Sequence, residues 1–60
     1  MKGYLDSVSK AAEVISEAME ITDVPDYVLV IVAGVVGDLH DVEHRRVFGD
    51  IKSMLERKRK

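Results

Sequence analysis

Apolar side chains in the first third of the chain recur at alternating spacings of three and four residues. This is the period of an α-helix, and it places the apolar side chains on one stripe of the helix surface. The stripe consists of Leu5, Val8, Ala12, Ile15 and Met19. The positions between them are mostly charged or polar, as expected of a solvent-exposed face. The pattern therefore predicts a first helix over residues 5–21.

The middle of the chain is apolar at every position across residues 27–36. Asp23, Pro25 and Asp26 precede this segment. An acidic capping residue close to a proline in the first turn is typical of a helix start, so the second helix is expected to begin near residue 24. A helix with apolar side chains on every side is typical of a central helix that its neighbours cover all round.

Two glycines fall in or after this apolar segment. Glycine adopts a left-handed backbone at little cost, which is how many helices end, so we expect Gly37 to end a second helix that spans residues 24–37. Asp38 would then cap the helix that follows. Gly34 lies inside the predicted helix, where glycine costs about 1 kcal/mol relative to alanine. The close approach of another backbone would offset that cost.

The same apolar segment has an alternative interpretation as a buried strand, because it is rich in β-branched residues. A single strand between two helices would have no partner. It would need to pair with the same strand of a second chain, since exposed strand edges require pairing. A helix satisfies its own backbone hydrogen bonds without a second chain, so we favour the helix over the strand.

The last third of the chain again has helical periodicity and predicts a third helix over residues 39–57, with Val42 as the alternative start. Its apolar arc consists of Val47, Phe48, Ile51, Met54 and Leu55. Gly49 followed by Asp50 offers an alternative in which this helix breaks into two short ones, because glycine can end a helix and aspartate can cap the next. The sequence thus predicts an all-α, three-helix unit.

The length of 60 residues leaves room for one domain, which we take to span residues 1–60 with a basic, frayed end at residues 57–60. The chain has no cysteine, so neither disulfides nor thiolate-bound metal stabilise it. Apolar residues make up 47% of it, which is globular composition, but the second helix has more apolar sides than two amphipathic neighbours can cover. Assembly into a homo-oligomeric helical bundle is the remaining route to stability.

Charge is distributed unevenly, although the net charge is only −2. Residues 1–44 contain nine acidic residues and two lysines, whereas residues 45–60 contain seven basic residues and two acidic ones. Clustered lysine and arginine side chains can bind phosphates, so a small dimeric DNA- or RNA-binding protein is the alternative function. Its candidate contacts are Arg45, Arg46, Lys52, Arg57, Arg59 and Lys60. The sequence isoelectric point of about 5.5 and the three aromatic residues argue against it.

His40 and His44 are spaced so that, on one helix, both imidazoles would project from the same face and could share a metal ion. The segment from His40 to His44 also matches the inverted zinc-protease pattern H-x-x-E-H. Such enzymes need a third ligand and a shaped cleft, which a chain this small can hardly build. We therefore expect no metal, no cofactor and no enzymatic activity.

The function expected from the sequence is protein–protein interaction. The chain would self-associate through the second helix, most simply as a dimer, and could regulate or inhibit a larger protein. The expected interface residues are Val28, Ile31, Val32, Val35 and Val36. The N-terminal segment lacks the features of a signal peptide, and no segment is long enough to cross a membrane, so a cytoplasmic location is expected.

Overall fold

The structure is a computed structural model and describes residues 3–58. Three α-helices make up this part of the chain: α1 (Tyr4–Ile21), α2 (Asp26–His40) and α3 (His44–Lys58). The apolar segment of the second helix is α-helical, and residues 3–58 contain no strand. The prediction of an all-α, three-helix domain is confirmed.

Helix α1 buries the stripe that the periodicity predicts. Val8, Ala12 and Ile15 are buried, and Tyr4 is buried one turn before them. Gly3 precedes the helix with a φ of 88°, in the left-handed region that glycine adopts without a steric penalty. At the other end the backbone N–H of Thr22 donates to the carbonyl of Ala18, so the helix closes where the sequence predicts.

Helix α2 extends beyond the predicted end, which corrects the interpretation of Gly37. The helix continues through Gly37 to His40, and the left-handed residue that ends it is Asp41, with a φ of 56°. The backbone N–H of Val42 donates to the carbonyl of Gly37 at 2.9 Å, the hydrogen bond that typically closes such a helix end. Aspartate is one of the few residues besides glycine that tolerate this conformation.

The predicted start of the third helix is also wrong, because α2 continues beyond Gly37 to His40. Residue 39 belongs to α2, and α3 begins at His44 after a three-residue connection over residues 41–43. Asp38 therefore lies inside α2 and does not cap α3.

Close packing explains Gly37. A Cβ atom on Gly37 would lie 2.7 Å from Cδ2 of His44 and 2.7 Å from the carbonyl oxygen of Val42, because the chain turns back directly over this position. Only a residue without a side chain fits there. A Cβ on Gly34 would meet the ring of His44 at 3.5 Å, which is ordinary contact. Within residues 3–58, the close approach therefore occurs at Gly37 and not at Gly34.

Helix α3 is continuous through Gly49, so the alternative with a break at that position is excluded. Val47, Ile51 and Leu55 are buried along one side of α3 and join the core residues of α1 and α2. Helix α3 packs extensively on both other helices, whereas α1 and α2 touch each other less. The central element is therefore α3, although the uniformly apolar sequence of the second helix pointed to α2.

Candidate interaction surface

Helix α2 presents a row of large apolar side chains to solvent. Tyr27, Ile31, Val35 and Leu39 follow one another at intervals of four residues, with exposed fractions of 64%, 59%, 63% and 72%. Val30, 58% exposed, lies beside them toward α3. We call these five residues the α2 apolar face. At 1.5 Å per residue the row is about 18 Å long, and a soluble monomer rarely exposes an apolar patch of this kind.

The interface residues predicted from the sequence divide into three groups. Ile31 and Val35 belong to the α2 apolar face, and Val28 and Val32 are half-buried at its margin. Val36 is only 7% exposed and packs in the core of the single chain. The sequence interpretation missed the exposed positions at either end of the face, Tyr27 and Leu39, and also Val30.

The surface on the α1 side of this face is also apolar. A shallow depression there is lined by Val32 of α2 and by Ala11, Val14 and Ile15 of α1. Val14 is 53% exposed and widens the apolar area. Lys10 and Asp6 border the same depression, so charge returns at its outer edge.

The α3 side of the face carries cations. Arg45 lines a depression with Val30 and Phe48, and Lys52 lines a second one with Asp26. The ammonium of Lys52 lies 6.0 Å from the centre of the Phe48 ring, within range of a cation–π interaction. In contrast, α2 itself contains no lysine or arginine.

One carboxylate interrupts the exposed side of α2 near its C-terminal end. Asp38 is exposed, and its Oδ1 lies 2.8 Å from Nε2 of His44 at the start of α3. Asp38 thus places a carboxylate near the C-terminal end of the α2 apolar face, as Asp26 does at its N-terminal end.

A polar cluster links all three helices on another part of the surface. The phenol of Tyr4 donates a hydrogen bond of 2.5 Å to Oδ2 of Asp50, and Nε of Arg46 lies 3.9 Å from the same oxygen. Burial raises the pKa of Tyr4 to about 12. The hydrogen bond and the negative charge of Asp50 act in the same direction, whereas Arg46 lowers this pKa. The cluster joins the start of α1 to the middle of α3.

His40 and Ser7 form the part of this cluster that most resembles a catalytic pair. Ser7 Oγ lies 2.8 Å from His40 Nε2, the distance that a serine nucleophile and its base require. A working dyad also needs a group that orients the other ring nitrogen. The hydrogen bonds within residues 3–58 include none to that nitrogen, and the His40 ring instead meets the ring of Tyr4 edge-on at 5.9 Å.

The two histidines do not share a helix face. His40 ends α2 and His44 begins α3, so the helical spacing on which the metal hypothesis rested does not apply. Each imidazole has its own partner, Ser7 or Asp38. Residues 3–58 bring no three histidine, cysteine, aspartate or glutamate side chains together in a way that could hold a metal ion.

The basic residues of α3 do not form one continuous patch. Arg45 and Lys52 border α2, whereas Arg46 and Arg57 line a groove between α3 and α1. Acidic residues lie among them, since Asp50 contacts Arg46 and Glu56 precedes Arg57. Arg59 and Lys60, the remaining candidates for nucleic-acid contact, are outside the described residues.

Comparison with known protein families, curated proteins and solved structures finds no match to this chain. None of the three described helices is both long enough and apolar enough to span a membrane. The α2 apolar face is the most unusual surface feature of residues 3–58.

Proposed function

We propose that this protein is a non-enzymatic interaction module that self-associates, most simply as a dimer, through the α2 apolar face. The observation that supports the proposal is the row of Tyr27, Ile31, Val35 and Leu39, each more than half exposed in the single chain. Exposed apolar surface is unfavourable in water at about 25 cal/mol per Å², so covering this row stabilises an assembly. A closed, symmetric dimer covers it on both chains at once.

The small size of the domain supports the same proposal. A chain of about 60 residues buries only about 60% of the surface that its unfolded form exposes, so its core is marginal unless a partner adds to it. Association also raises the apparent stability of the fold, because the partner binds only the folded state. A larger protein that this module regulates or inhibits would use the same face.

Sedimentation equilibrium across the micromolar range tests the proposal. The wild-type chain should form dimers, and Ile31→Asp should weaken association at least about tenfold, since an unpaired carboxylate in an apolar interface costs well over the 1.4 kcal/mol that corresponds to this factor. Leu5→Asp is the matched control, because Leu5 is 65% exposed and lines a groove between α1 and α3 that includes no residue of α2. A folded chain that stays monomeric at every concentration would contradict the proposal.

A further inference from the structure

The α2 apolar face supplies less than half of the surface that a stable dimer interface covers. A fully exposed valine, leucine or isoleucine side chain offers about 60–120 Å² of apolar surface, and an aromatic one offers about 150–250 Å². The five side chains of the face are 58–72% exposed. They therefore supply roughly 350 Å², whereas a standard interface covers about 800 Å² on each partner. The rest has to come from the surface beside the face.

The apolar surface continues on the α1 side of the face. Five uncharged residues recur on α1 at alternating spacings of four and three, which places them in one row along the helix. They are Ser7, Ala11, Val14, Ala18 and Ile21. The first three line the depression that Val32 of α2 also lines, so this row borders α2. Val14 is 53% exposed and Ile21 is 86% exposed, so the row leaves further apolar area in water.

The α3 side of the face offers no comparable continuation. Asp38 and His44 form their exposed contact there, and Arg45 and Lys52 line the depressions next to α2. A partner that covered this side would take charged groups out of water, which is costly unless each finds a well-placed counterpart. A partner seated toward α1 leaves these groups solvated.

The α2 row and the depression beside it are complementary in shape. Ile31 and Val35 are more than half exposed, whereas Ala11 contributes only a Cβ atom to the wall of the depression. Helices α1 and α2 run antiparallel, since Ser7 at the start of α1 contacts His40 at the end of α2. A two-fold axis parallel to both helices therefore sets the row of each chain over the depression of the other, as ridges pack into grooves.

We propose that a second copy of the chain seats its α2 apolar face in the depression between α1 and α2, so that both helices form the dimer interface. This arrangement rests on the proposed self-association. A two-fold axis parallel to the helices keeps each residue at its own level. Val14 lies at the level of Val32, which falls between Ile31 and Val35 on α2. Val14 of each chain therefore meets Ile31 and Val35 of the other.

A two-fold axis across the helices gives a less favourable arrangement. It sets the α2 row of one chain on the α2 row of the other, and α1 on α1. Both depressions then stay unfilled, and their walls lose the van der Waals contacts that a seated side chain would make. Filling the depressions thus favours the axis that runs along the helices.

Sedimentation equilibrium of Val14→Asp tests whether α1 takes part in the interface. Val14 is half exposed in the single chain, so the fold should persist, as far-ultraviolet circular dichroism checks. The dimer should weaken at least about tenfold, because the new carboxylate would be buried without a partner. Leu5→Asp is the control on the α3 side of α1 and should leave the dissociation constant unchanged. A dissociation constant for Val14→Asp equal to that of the wild type would overturn the placement.

Disulfide trapping tests the placement without introducing a charge, and the chain has no cysteine of its own. Val14→Cys and Ile31→Cys are mixed in equal amounts, allowed to exchange subunits and oxidised with glutathione. The mixed disulfide should form well above the half of the total that random pairing gives. Leu5→Cys in place of Val14→Cys should remove this excess.

Random proportions, or a dominant disulfide between two Val14→Cys chains, would overturn this arrangement. Sedimentation of the same samples under reducing conditions separates the two proposals, because a dimer with the wrong cross-linking pattern leaves self-association standing. A monomer at every concentration removes both.

Discussion

Tyr4 and Asp50 are joined by a 2.5 Å hydrogen bond across 46 positions of the sequence. The bond connects the first turn of α1 to α3, and short hydrogen bonds to a carboxylate are among the stronger ones in proteins. It therefore fixes the position of α1 on α3 in addition to the apolar contacts between them.

Stability should depend on pH through this bond. The pKa of Tyr4 is raised from 10.0 to about 12, so the folded state favours the protonated phenol. The contribution to stability is fully present below pH 10 and is lost as the pH rises from 10 to about 12. Tyr4→Phe should lower the free energy of unfolding by about 1 kcal/mol at neutral pH and reduce this alkaline loss.

Chemical denaturation at a series of pH values measures both effects. Ser7→Ala is the matched control, because it removes another hydrogen bond near the start of α1 but no ionisable phenol, so the alkaline loss should remain. An identical alkaline loss in Tyr4→Phe and the wild type would show that the phenol is not its source.

Replacement by alanine should change the stability of the protein in opposite directions at two helical glycines, Gly37 and Gly49. Gly37→Ala should destabilise the protein, because one of the atoms 2.7 Å from the new Cβ is the carbonyl oxygen of Val42, which only a backbone shift can move. The overpacking costs about 1–3 kcal/mol and exceeds the gain in helix propensity of about 1 kcal/mol. Gly49→Ala should stabilise by about 1 kcal/mol, because nothing lies within 4 Å of its Cβ position.

Thermal melts of the two alanine variants check the prediction. A higher melting temperature for Gly37→Ala would mean that the connection after α2 relaxes easily and that the close approach does not constrain it.

The contact between Ser7 and His40 should contribute to stability and not to catalysis. Ser7→Ala should lower the free energy of unfolding by about 1 kcal/mol through the loss of one hydrogen bond. It should leave the slow hydrolysis of an activated ester unchanged, with Ser9→Ala as the control. A drop in hydrolysis confined to Ser7→Ala would identify Ser7 as a nucleophile and contradict the non-enzymatic proposal.

The cations of α3 should not support nucleic-acid binding at physiological salt. They lie on two separate borders of the helix with acidic residues among them, so few phosphates can be met at once. A mobility-shift assay with random duplex DNA should show no salt-sensitive complex. A complex that weakens steeply with salt and is lost in Arg45→Ala or Arg57→Ala would favour the nucleic-acid alternative.

The sequence predicts the existence of the three helices well, because each has a clear period or an unbroken apolar run. It misplaces the junction between the second and third helices. A glycine that is needed for close packing is indistinguishable in sequence from one that is needed for a left-handed turn, and Gly37 is the first kind. The turn instead uses Asp41, a residue type that gives a weaker signal.

The candidate surface is only partly predictable from the sequence. A surplus of apolar residues in the second helix is evident, but which side faces solvent depends on where α1 and α3 pack. Val36 is consequently buried in the core, whereas Leu39 is exposed. The spacing of four from Tyr27 to Leu39 was the one signal that could have identified the row.

The role of α3 as the shared packing partner has a consequence for synthesis on the ribosome. Helices α1 and α2 emerge before α3, yet they touch each other little and complete their core only against α3. The helical hairpin of α2 and α3, joined by three residues, is the local unit that should form first, and α1 must then return to it across the longest separation in the fold. We therefore expect the nascent chain to remain without its core until α3 has left the exit tunnel.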